Sequence, residues 1–286
     1  MQHTKNKHLG IARRLLAAAA IGLLFSSHCQ SIALQCDGAA LQKNSPVQMS
    51  YRVVKQHPHR SDAFTQGLLY REGKLYESTG RYGHSTLSRI DLEHGEVQQQ
   101  HALSPQYFGE GLTLWRDQLI WLTWKSGKVF RYRAEDISPL TVQELPASHT
   151  DHSSPVEGWG ITHNGEQLIT SDGSAQLTFR HPETLAASRT VIVRYRDRPL
   201  KKLNELAWVD GCLLANIWQS PYIAVIDPDS GLTTALLDLS PLLKREQRLS
   251  PSAGVANGIA HLPEQRQLLV TGKNWQHIYQ LKMLPP

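Results

Sequence analysis

The sequence predicts an all-β fold, a five-bladed β-propeller whose last blade is closed by an N-terminal strand. A short motif recurs five times, and its first residues are 44, 49, 45 and 53 positions apart, at Gln66, Glu110, Trp159, Asn204 and Asn257. A repeat of roughly 40 to 50 residues built from short strand patterns is typical of a propeller. The last repeat lacks a fourth strand, and the alternating segment Val47–Lys55 ahead of the first repeat can supply it.

The first 33 residues have the pattern of a secretory signal peptide. A basic stretch ending at Arg13-Arg14 precedes the short apolar run Leu15–Phe25, and Ser31-Ile32-Ala33 has the small residues of a cleavage site. We therefore expect residues 1–33 to be a signal peptide, cleaved near Ala33, and the protein to be periplasmic or secreted. An uncleaved membrane anchor is the alternative, but the apolar run is short for one. Residues 34–46 would form a loose arm, and residues 47–286 one propeller catalytic domain without a stable membrane span.

The charge balance argues against an anionic partner. The 286 residues carry a formal net charge of +5, but the predicted signal peptide contains four of the 30 basic residues and no acidic ones. The mature chain would carry 26 basic and 25 acidic residues without a block of either sign, so we expect no nucleic-acid binding. It would keep Cys36 and Cys212, which either pair in an oxidising compartment or remain separate thiols.

The first repeat contains the pattern of one four-stranded blade. Leu68–Tyr70 is an apolar strand, followed by the hairpin signal Glu72-Gly73 and a return strand at Lys74–Ser78. Third and fourth strands follow at Ser85–Asp91 and Glu96–His101. Four consecutive short strands of this kind form one propeller blade.

The other four repeats follow the same plan, with turns at Arg116-Asp117, Asn164-Gly165, Asp210-Gly211 and Pro263-Glu264. Asn-Gly and Asp-Gly are strong hairpin signals. We expect the strands of these repeats at Gly111–Trp115, Gln118–Trp124, Lys128–Arg133, Trp159–His163, Gln167–Ser171, Gln176–Arg180, Leu206–Trp208, Cys212–Trp218, Tyr222–Asp227, Ile259–Leu262, Gln267–Thr271 and His277–Lys282. The inserts His149–Val156 and Lys244–Ala256 fall between blades and are predicted to be surface loops.

Equivalent positions of a propeller repeat surround one end of the central channel. The first position of each repeat gives one predicted ring, Gln66, Glu110, Trp159, Asn204 and Asn257, and the far end of each hairpin adds Trp124, Trp218 and Lys273. Three tryptophans at equivalent positions favour an aromatic-walled pocket. Structural roles are the alternative: the tryptophans could belong to the core, Glu110 could form an ion pair, and Lys273 could merely neutralise Glu110.

Four histidines are the candidate metal ligands, namely His57, His59, His149 and His152. Their loops lack a ligand set, and no Cys or His spacing fits a structural zinc site. We therefore expect solvated loop histidines, no bound metal and no other cofactor.

Eight short motifs follow one another between Tyr51 and Lys282: Asp62-Ala-Phe-Thr-Gln-Gly67, Tyr76-Glu-Ser-Thr-Gly80, Phe108-Gly-Glu-Gly-Leu112, Glu157-Gly-Trp-Gly160, Asn204-Glu-Leu206, Ala215-Asn-Ile-Trp218, Asn257-Gly-Ile259 and Val270-Thr-Gly-Lys273. Together they resemble the plant and bacterial type of glutaminyl cyclase, also called glutamine cyclotransferase. The fold of that family is a five-bladed propeller, in agreement with the repeat count. The family converts an N-terminal glutamine of a peptide to pyroglutamate with loss of ammonia.

The resemblance implies an active site of nine residues, each of the type expected at its position: Phe64, Gln66, Phe108, Glu110, Trp124, Trp159, Asn204, Trp218 and Lys273. Glu110 and Lys273 would be catalytic and the others would bind substrate. The α-amine must lose a proton as it attacks its own γ-carbonyl, and the departing nitrogen must gain one, so a single carboxylate can serve both steps. The tryptophans would fold the substrate side chain back on itself. Gln66, Asn204 and Lys273 would bind the γ-amide or the developing oxyanion.

The residues alone leave two other functions open. A non-catalytic propeller could capture peptide N-termini in the same pocket. A metal-dependent propeller hydrolase or lactonase would need several channel carboxylates, and only Glu110 is evident in the sequence. We expect a monomer that acts on peptides or proteins with an N-terminal glutamine.

Overall fold

A computed structural model describes residues 34–36, 46–148 and 156–284. Two strands precede the first blade, β1 (Val47–Met49) and β2 (Tyr51–Pro58). Blade one contains β3 (Thr65–Arg71), β4 (Lys74–Thr79), β5 (Thr86–Ile90) and β6 (Val97–Ala102). Blade two contains β7 (Gly109–Trp115), β8 (Gln118–Thr123), β9 (Lys128–Arg133) and β10 (Pro139–Glu144).

The later blades repeat this arrangement. Blade three contains β11 (Ile161–His163), β12 (Leu168–Ser171), β13 (Gln176–Arg180) and β14 (Ala187–Ile192). A short hairpin follows, with β15 (Arg194–Tyr195) and β16 (Arg198–Pro199). Blade four contains β17 (Leu203–Val209), β18 (Cys212–Ile217), β19 (Tyr222–Ile226) and β20 (Thr233–Asp238), and the helix α1 (Ser240–Leu249) comes next. Blade five contains β21 (Ala256–Leu262), β22 (Gln267–Gly272) and β23 (His277–Met283).

The first strands of the blades form a closed inner ring. β3, β7, β11, β17 and β21 each contact the first strand of the next blade, and β21 contacts β3. The predicted two-residue hairpins at Glu72-Gly73 and Asp210-Gly211 are present, and all four residues have positive φ, as a type I′ turn requires. The predicted five-bladed propeller is therefore confirmed.

An N-terminal strand closes the ring, as predicted, but it begins and ends later in the sequence than expected. β2 pairs antiparallel with β23, from Tyr51 opposite Met283 to Pro58 opposite His277, and supplies the fourth strand of blade five. The predicted single strand Val47–Lys55 is in fact divided at Ser50, because β1 pairs in parallel with β20 of blade four. The alternating pattern is the same on both sides of Ser50, so the sequence could not show the change of partner.

Among the described residues the hydrophobic core has five clusters, one between each pair of neighbouring blades. Each cluster contains buried residues from both blades. Leu87 and Trp121 belong to the cluster of blades one and two, and Leu122 and Leu168 to that of blades two and three. The other three clusters contain Phe179 and Leu213, Leu214 and Leu268, and Leu269 and Leu75. Each blade therefore buries both of its faces, and the stability of one blade depends on its two neighbours.

The arm before the propeller is not loose at the residues that the structure describes. Leu34 and Cys36 are buried in the cluster between blades four and five, and Cys36 forms a disulfide with Cys212 on β18. The backbone N–H of Leu34 also donates to the carboxylate of Asp210 over 3.2 Å. The open choice between a disulfide and two thiols is thereby answered in favour of the disulfide. The predicted signal peptide lies outside the described residues.

The predicted loop Lys244–Ala256 is wrong in its first half, because α1 continues to Leu249. Pro241 lies in the first turn of the helix, where its missing N–H costs nothing. The face toward blade five buries Leu242 and Glu246, and Glu246 accepts hydrogen bonds from the backbone of Gln276 and the ring of His277. A buried glutamate at a core position obscured the apolar spacing of this helix in the sequence. No helix among the described residues is long and apolar enough to cross a membrane.

His57 and His59 are buried, not solvated loop residues as predicted. β2 runs on to Pro58 instead of ending at Lys55, which brings both histidines into the closing blade. The ring of His59 lies between the carbonyl oxygen of Trp275 and the carboxylate of Glu77, at 2.8 Å from each. His149, His152 and most of the first predicted insert lie outside the described residues.

Candidate active site

Four of the five inner strands have a β-bulge where the first residue of the repeat lies. β3, β7, β17 and β21 lose register with their neighbours at Gln66, Glu110, Asn204 and Asn257. A bulge takes a residue out of the hydrogen-bonded ladder and redirects its side chain. In blade three, β11 begins only at Ile161, so Trp159 lies ahead of the strand. The predicted ring thus lies at one end of the blades, and four of its five residues are bulge residues outside the regular ladder.

The carboxylate of Glu110 is held in a buried amide network. Glu110 is 5% exposed, and its Oε1 accepts a hydrogen bond of 2.8 Å from Nε2 of Gln66. Nδ2 of Asn257 donates in turn to Oε1 of Gln66 over 3.3 Å and to the carbonyl oxygen of Thr65 over 3.0 Å. The backbone is fixed as well, because the hydroxyl of Ser78 donates to the carbonyl oxygen of Glu110 over 2.7 Å.

Lys273 lies against the aromatic face of Phe64. Its Nζ is 4.5 Å from the centre of the Phe64 ring, and the guanidinium carbon of Arg81 is also 4.5 Å from that centre. The backbone of Lys273 is paired with the segment after α1, through Val255 and Gly254, at 3.0 and 2.7 Å. Lys273 is therefore buried, and both the aromatic ring and the paired backbone hold it in a defined position.

Burial shifts the pKa values of Glu110 and Lys273 in opposite directions. Burial raises the pKa of Glu110 well above its usual range; the Lys273 ammonium opposes this rise and the Glu157 carboxylate adds to it. Burial also lowers the pKa of Lys273 to about 8, against the attraction of Glu110 and with the repulsion of Arg81. A carboxyl group with a raised pKa can both accept and return a proton near neutral pH.

The three predicted pocket tryptophans are half-buried, unlike the core tryptophans Trp121 and Trp275, which are fully buried. The indole N–H groups of Trp124 and Trp159 both donate to Oε2 of Glu157, over 2.8 and 2.9 Å. This difference in burial favours the pocket-wall interpretation over the core interpretation.

Ring-to-ring contacts complete the aromatic wall. Trp218 packs edge-on against Trp159, with ring centres 5.5 Å apart and planes at 87°. On the other side, Phe108 contacts Trp124 at 5.5 Å and Phe64 at 6.3 Å. The aromatic wall therefore has two parts. Phe64, Phe108 and Trp124 form the part next to Lys273, and Trp159 and Trp218 form the other part. Glu157 joins them by accepting hydrogen bonds from one indole of each part.

Asn204 is the ninth predicted residue, and the structure leaves its side-chain carbonyl free. Asn204 is buried, and its Oδ1 has no hydrogen-bond partner. Its backbone carbonyl accepts the hydroxyl of Ser171 over 2.7 Å, while the carbonyl of Ser171 accepts the N–H of Trp159. A buried acceptor without a partner is able to receive an N–H group of a ligand.

The similarity of the chain to known proteins agrees with this geometry. The family model for glutamine cyclotransferase matches residues 24–283. The glutaminyl-peptide cyclotransferase of Arabidopsis thaliana is 37% identical over 254 residues, which cover 87% of this chain and 76% of that protein. The chain belongs to the glutamine cyclotransferase family.

A solved structure extends this likeness to the fold. The crystal structure of Myxococcus xanthus glutaminyl cyclase matches with a TM-score of 0.75 and 30% sequence identity, over 84% of this chain and 98% of that chain. The resemblance inferred from the eight motifs is thereby confirmed, and so is the enzyme class at the level of the family.

Sequence reasoning missed a second carboxylate in the inner ring of this glutamine cyclotransferase propeller. Four repeats have glycine after their first residue, whereas the repeat of Asn204 has Glu205. Oε1 of Glu205 accepts the backbone N–H of Leu68 in blade one over 2.6 Å, and the N–H groups of Gly258 and Ile259 in blade five also face it. The expectation of one channel carboxylate was therefore wrong, and the break in the glycine pattern was the available signal.

Glycine at this position allows the inner strands to approach each other closely. A Cβ atom on Gly160 would collide with the carbonyl oxygen of Asn204, and one on Gly111 would lie 2.6 Å from the carbonyl oxygen of Trp159. Glu205 extends across the ring to blade one instead, and burial raises the pKa of its carboxyl well above the usual range. Its contacts are with backbone groups, so we interpret Glu205 as a structural link between blades.

Metal ligands are sparse in the part of the chain that the structure describes. Residues 34–36, 46–148 and 156–284 contain no group of three or more His, Cys, Asp or Glu side chains able to hold a metal ion. His59, the most suitable donor by residue type, has both ring nitrogens within hydrogen-bond distance of protein groups. The expected independence of metal stays a prediction.

Proposed function

We propose that this enzyme converts the N-terminal glutamine of peptides to pyroglutamate and ammonia, with Glu110 as the proton carrier. The observation that supports this proposal most is the buried Glu110 carboxylate, hydrogen-bonded to Gln66 and close enough to Lys273 for each to shift the pKa of the other. A neutral amide donor and a buried cation favour the ionised form, while burial opposes it.

The reaction needs one proton to move twice. The α-amine nitrogen forms a bond to the γ-carbonyl carbon, and Glu110 takes the proton that this nitrogen loses. The tetrahedral centre then releases its amide nitrogen, to which Glu110 returns the proton, so that ammonia leaves and the carboxylate is regenerated. Lys273, with a pKa of about 8, is mostly cationic at neutral pH and would stabilise the oxyanion of the tetrahedral centre.

The aromatic residues would lower the barrier by placing the two reacting atoms together. A glutamine side chain is extended in most conformations, and cyclisation requires it to fold back on its own α-amine. Trp124, Trp159 and Trp218 would enclose the folded side chain, and the free Oδ1 of Asn204 would accept a hydrogen bond from the α-amine. Glu157 would keep two of these indoles in place.

The test is ammonia release from a dipeptide that begins with glutamine, followed by identification of the pyroglutamyl product by mass spectrometry. Blocking the amine with an acetyl group gives a matched control, since the blocked nitrogen cannot attack. We expect release from the free dipeptide and none from the acetylated one. Tight binding of the free dipeptide without any ammonia would instead support the non-catalytic peptide-binding propeller.

We also infer that the protein is exported to an oxidising compartment. The inference rests on the signal-peptide pattern of residues 1–33 and on the disulfide between Cys36 and Cys212, since disulfides persist mainly in such compartments. Cell fractionation combined with N-terminal sequencing of the mature protein tests it. An intact N-terminus in a cytoplasmic fraction would contradict it.

A further inference from the structure

A cleft of about 410 Å³ opens beside the active-site pocket, at the start of blade one. It shares Phe64 with the pocket. The rest of its lining includes polar side chains to which the reaction gives no role: Arg60, Asp62, Arg81, His84, Thr86 and Gln100. The cleft is large enough for a small ligand or for a short stretch of peptide.

The cleft and the pocket share a wall. Phe64 lines the cleft, and its ring is the surface on which Lys273 lies. Gly80 also lines the cleft and allows close packing, because a Cβ atom there would collide with the Phe108 ring and lie 3.0 Å from Cγ of Gln66. Phe64 is therefore a boundary that the cleft and the pocket have in common.

The lining of the cleft has an excess of positive charge. Arg60 lies 4.0 Å from Asp62, whose side chain is 80% exposed, and the buried Nε of Arg60 has no hydrogen-bond partner. Arg81 donates to the neutral amide of Asn274 over 3.0 Å, and among the described residues no carboxylate forms an ion pair with it. Within the lining, two guanidinium groups thus face one solvated carboxylate.

We propose that this cleft binds the residues that follow the N-terminal glutamine and favours a carboxylate among them; the proposal rests on the proposed function. Guanidinium groups bind carboxylates through paired, charge-assisted hydrogen bonds. The carboxylate has two possible sources, an acidic side chain in the second or third position and the C-terminus of a short peptide. The preference is electrostatic and lies at a partly exposed rim, so it decreases as salt screens the charges.

The test compares tripeptide amides with glutamine first, alanine third, and glutamate, glutamine or lysine in second position. We expect kcat/KM to fall in that order at low ionic strength. The ratio between glutamate and lysine should be roughly threefold to tenfold, because the first peptide gains a partly exposed ion pair and the second meets a like charge. The difference should nearly vanish at 1 M salt, where the screening length is about 3 Å. The peptide with glutamine in second position is also compared as amide and as free acid. This comparison separates a preference for the terminal carboxylate from a preference for an acidic side chain.

R60Q removes one cleft charge without touching the pocket, and R116Q is its matched control. Arg116 is 75% exposed at the end of β7 opposite Glu110. R60Q should reduce the ratio of kcat/KM between the glutamate and lysine peptides by roughly twofold to fivefold, and R116Q should leave this ratio unchanged.

Equal kcat/KM for all three amides, and for the free acid and its amide, in the wild-type enzyme would overturn this proposal alone. Ammonia release from none of the peptides would overturn the proposed function together with it.

Discussion

Gln66 and Glu110 form a buried hydrogen bond, in which Nε2 of Gln66 donates to Oε1 of Glu110 over 2.8 Å. The two residues occupy the same position in neighbouring repeats, and both lie in β-bulges. The amide N–H stabilises the carboxylate, whereas burial stabilises the acid, so the two effects oppose each other. We infer that their balance fixes the pH range in which Glu110 carries a proton, since an acid–base group is most effective when its pKa lies near the working pH.

Replacing Gln66 with leucine tests this balance. Leucine has a similar size but donates no hydrogen bond, so the carboxylate loses a stabilising partner and the pKa of Glu110 rises further. We expect kcat/KM to fall by roughly tenfold to 100-fold, the worth of a hydrogen bond to a buried charge. The acidic limb of the pH profile should move to higher pH. An unshifted limb would show that Gln66 has no influence on the ionisation of the catalytic group.

Substitutions of Glu157 separate its charge from its hydrogen bonds. Glutamine at this position can still accept the indole N–H groups of Trp124 and Trp159, but it removes a negative charge that raises the pKa of Glu110. We therefore expect E157Q to move the acidic limb of kcat/KM to lower pH with little change in KM. Alanine should shift the limb similarly and also raise KM, because the indoles lose their common acceptor. Identical kinetics of both variants would contradict this division of roles.

The repeat pattern predicted the fold and seven of the nine candidate site residues, because a propeller converts sequence period into spatial proximity. Phe64 and Phe108 came only from the resemblance to the family. Gln66 and Glu110 are 44 positions apart and form a hydrogen bond, since each occupies the same place in its blade. The closing strand was predictable for the same reason, because a ring that lacks one strand must recruit it from the other end of the chain. The aromatic wall followed from Trp124, Trp159 and Trp218 at matching positions.

The contacts of residues that break the repeat were not predictable, although the missing glycine at Glu205 was visible in the sequence. Glu157 and Glu205 each occur in one repeat only, so no equivalent position indicated that one joins two tryptophans and the other links blades across the ring. The β-bulges leave no mark on an apolar pattern that continues on both sides. His59 and Glu246 are polar residues buried through specific partners, and residue type alone predicts exposure for both.

The pair of His59 and Glu77 should make the stability of the ring depend on pH. Burial opposes the charge on His59, but the charge and hydrogen bond of Glu77 raise its pKa above the usual 6.5. Burial likewise opposes the charge on Glu77, but His59 and Thr65 lower its pKa below the usual 4.5. The stabilisation is therefore complete between about pH 4.5 and pH 6.5. It is lost above this range as His59 deprotonates, and below it as Glu77 becomes protonated.

Urea unfolding of H59Q across pH measures this contribution. At pH 6 the variant should lose about 3 kcal/mol or more of unfolding free energy, because Glu77 stays buried without its partner. The difference from wild type should shrink as the pH rises through the raised pKa of His59. H94Q is the matched control, since His94 is 72% exposed in its pair with Asp91 and little change is expected. A loss for H59Q that is independent of pH would contradict the ionic account.

Two truncations of the mature chain test ring closure. Deletion through Lys55 removes β1 and most of β2, which exposes the edge of β23 and opens the cluster between blades four and five, so cooperative unfolding should be lost. Deletion through Asn44 keeps both strands but removes Cys36, and it should lower the unfolding free energy by about 2–4 kcal/mol while unfolding stays cooperative. Denaturant curves followed by tryptophan fluorescence distinguish these results. Coinciding curves would contradict closure by β2.

The central claim is that Glu110 carries the proton, and ammonia release by E110Q tests it most directly. Glutamine keeps the size and the hydrogen-bonding capacity of the side chain but cannot carry a proton at neutral pH. E205Q is the matched control, because Glu205 is an equally buried carboxyl with a raised pKa that contacts only backbone groups. We expect E110Q to fold, to bind peptides that begin with glutamine, and to release ammonia roughly 10²–10⁴-fold more slowly than wild type. E205Q should keep most of its activity. Near-normal ammonia release by E110Q would contradict the account and place the catalytic group elsewhere.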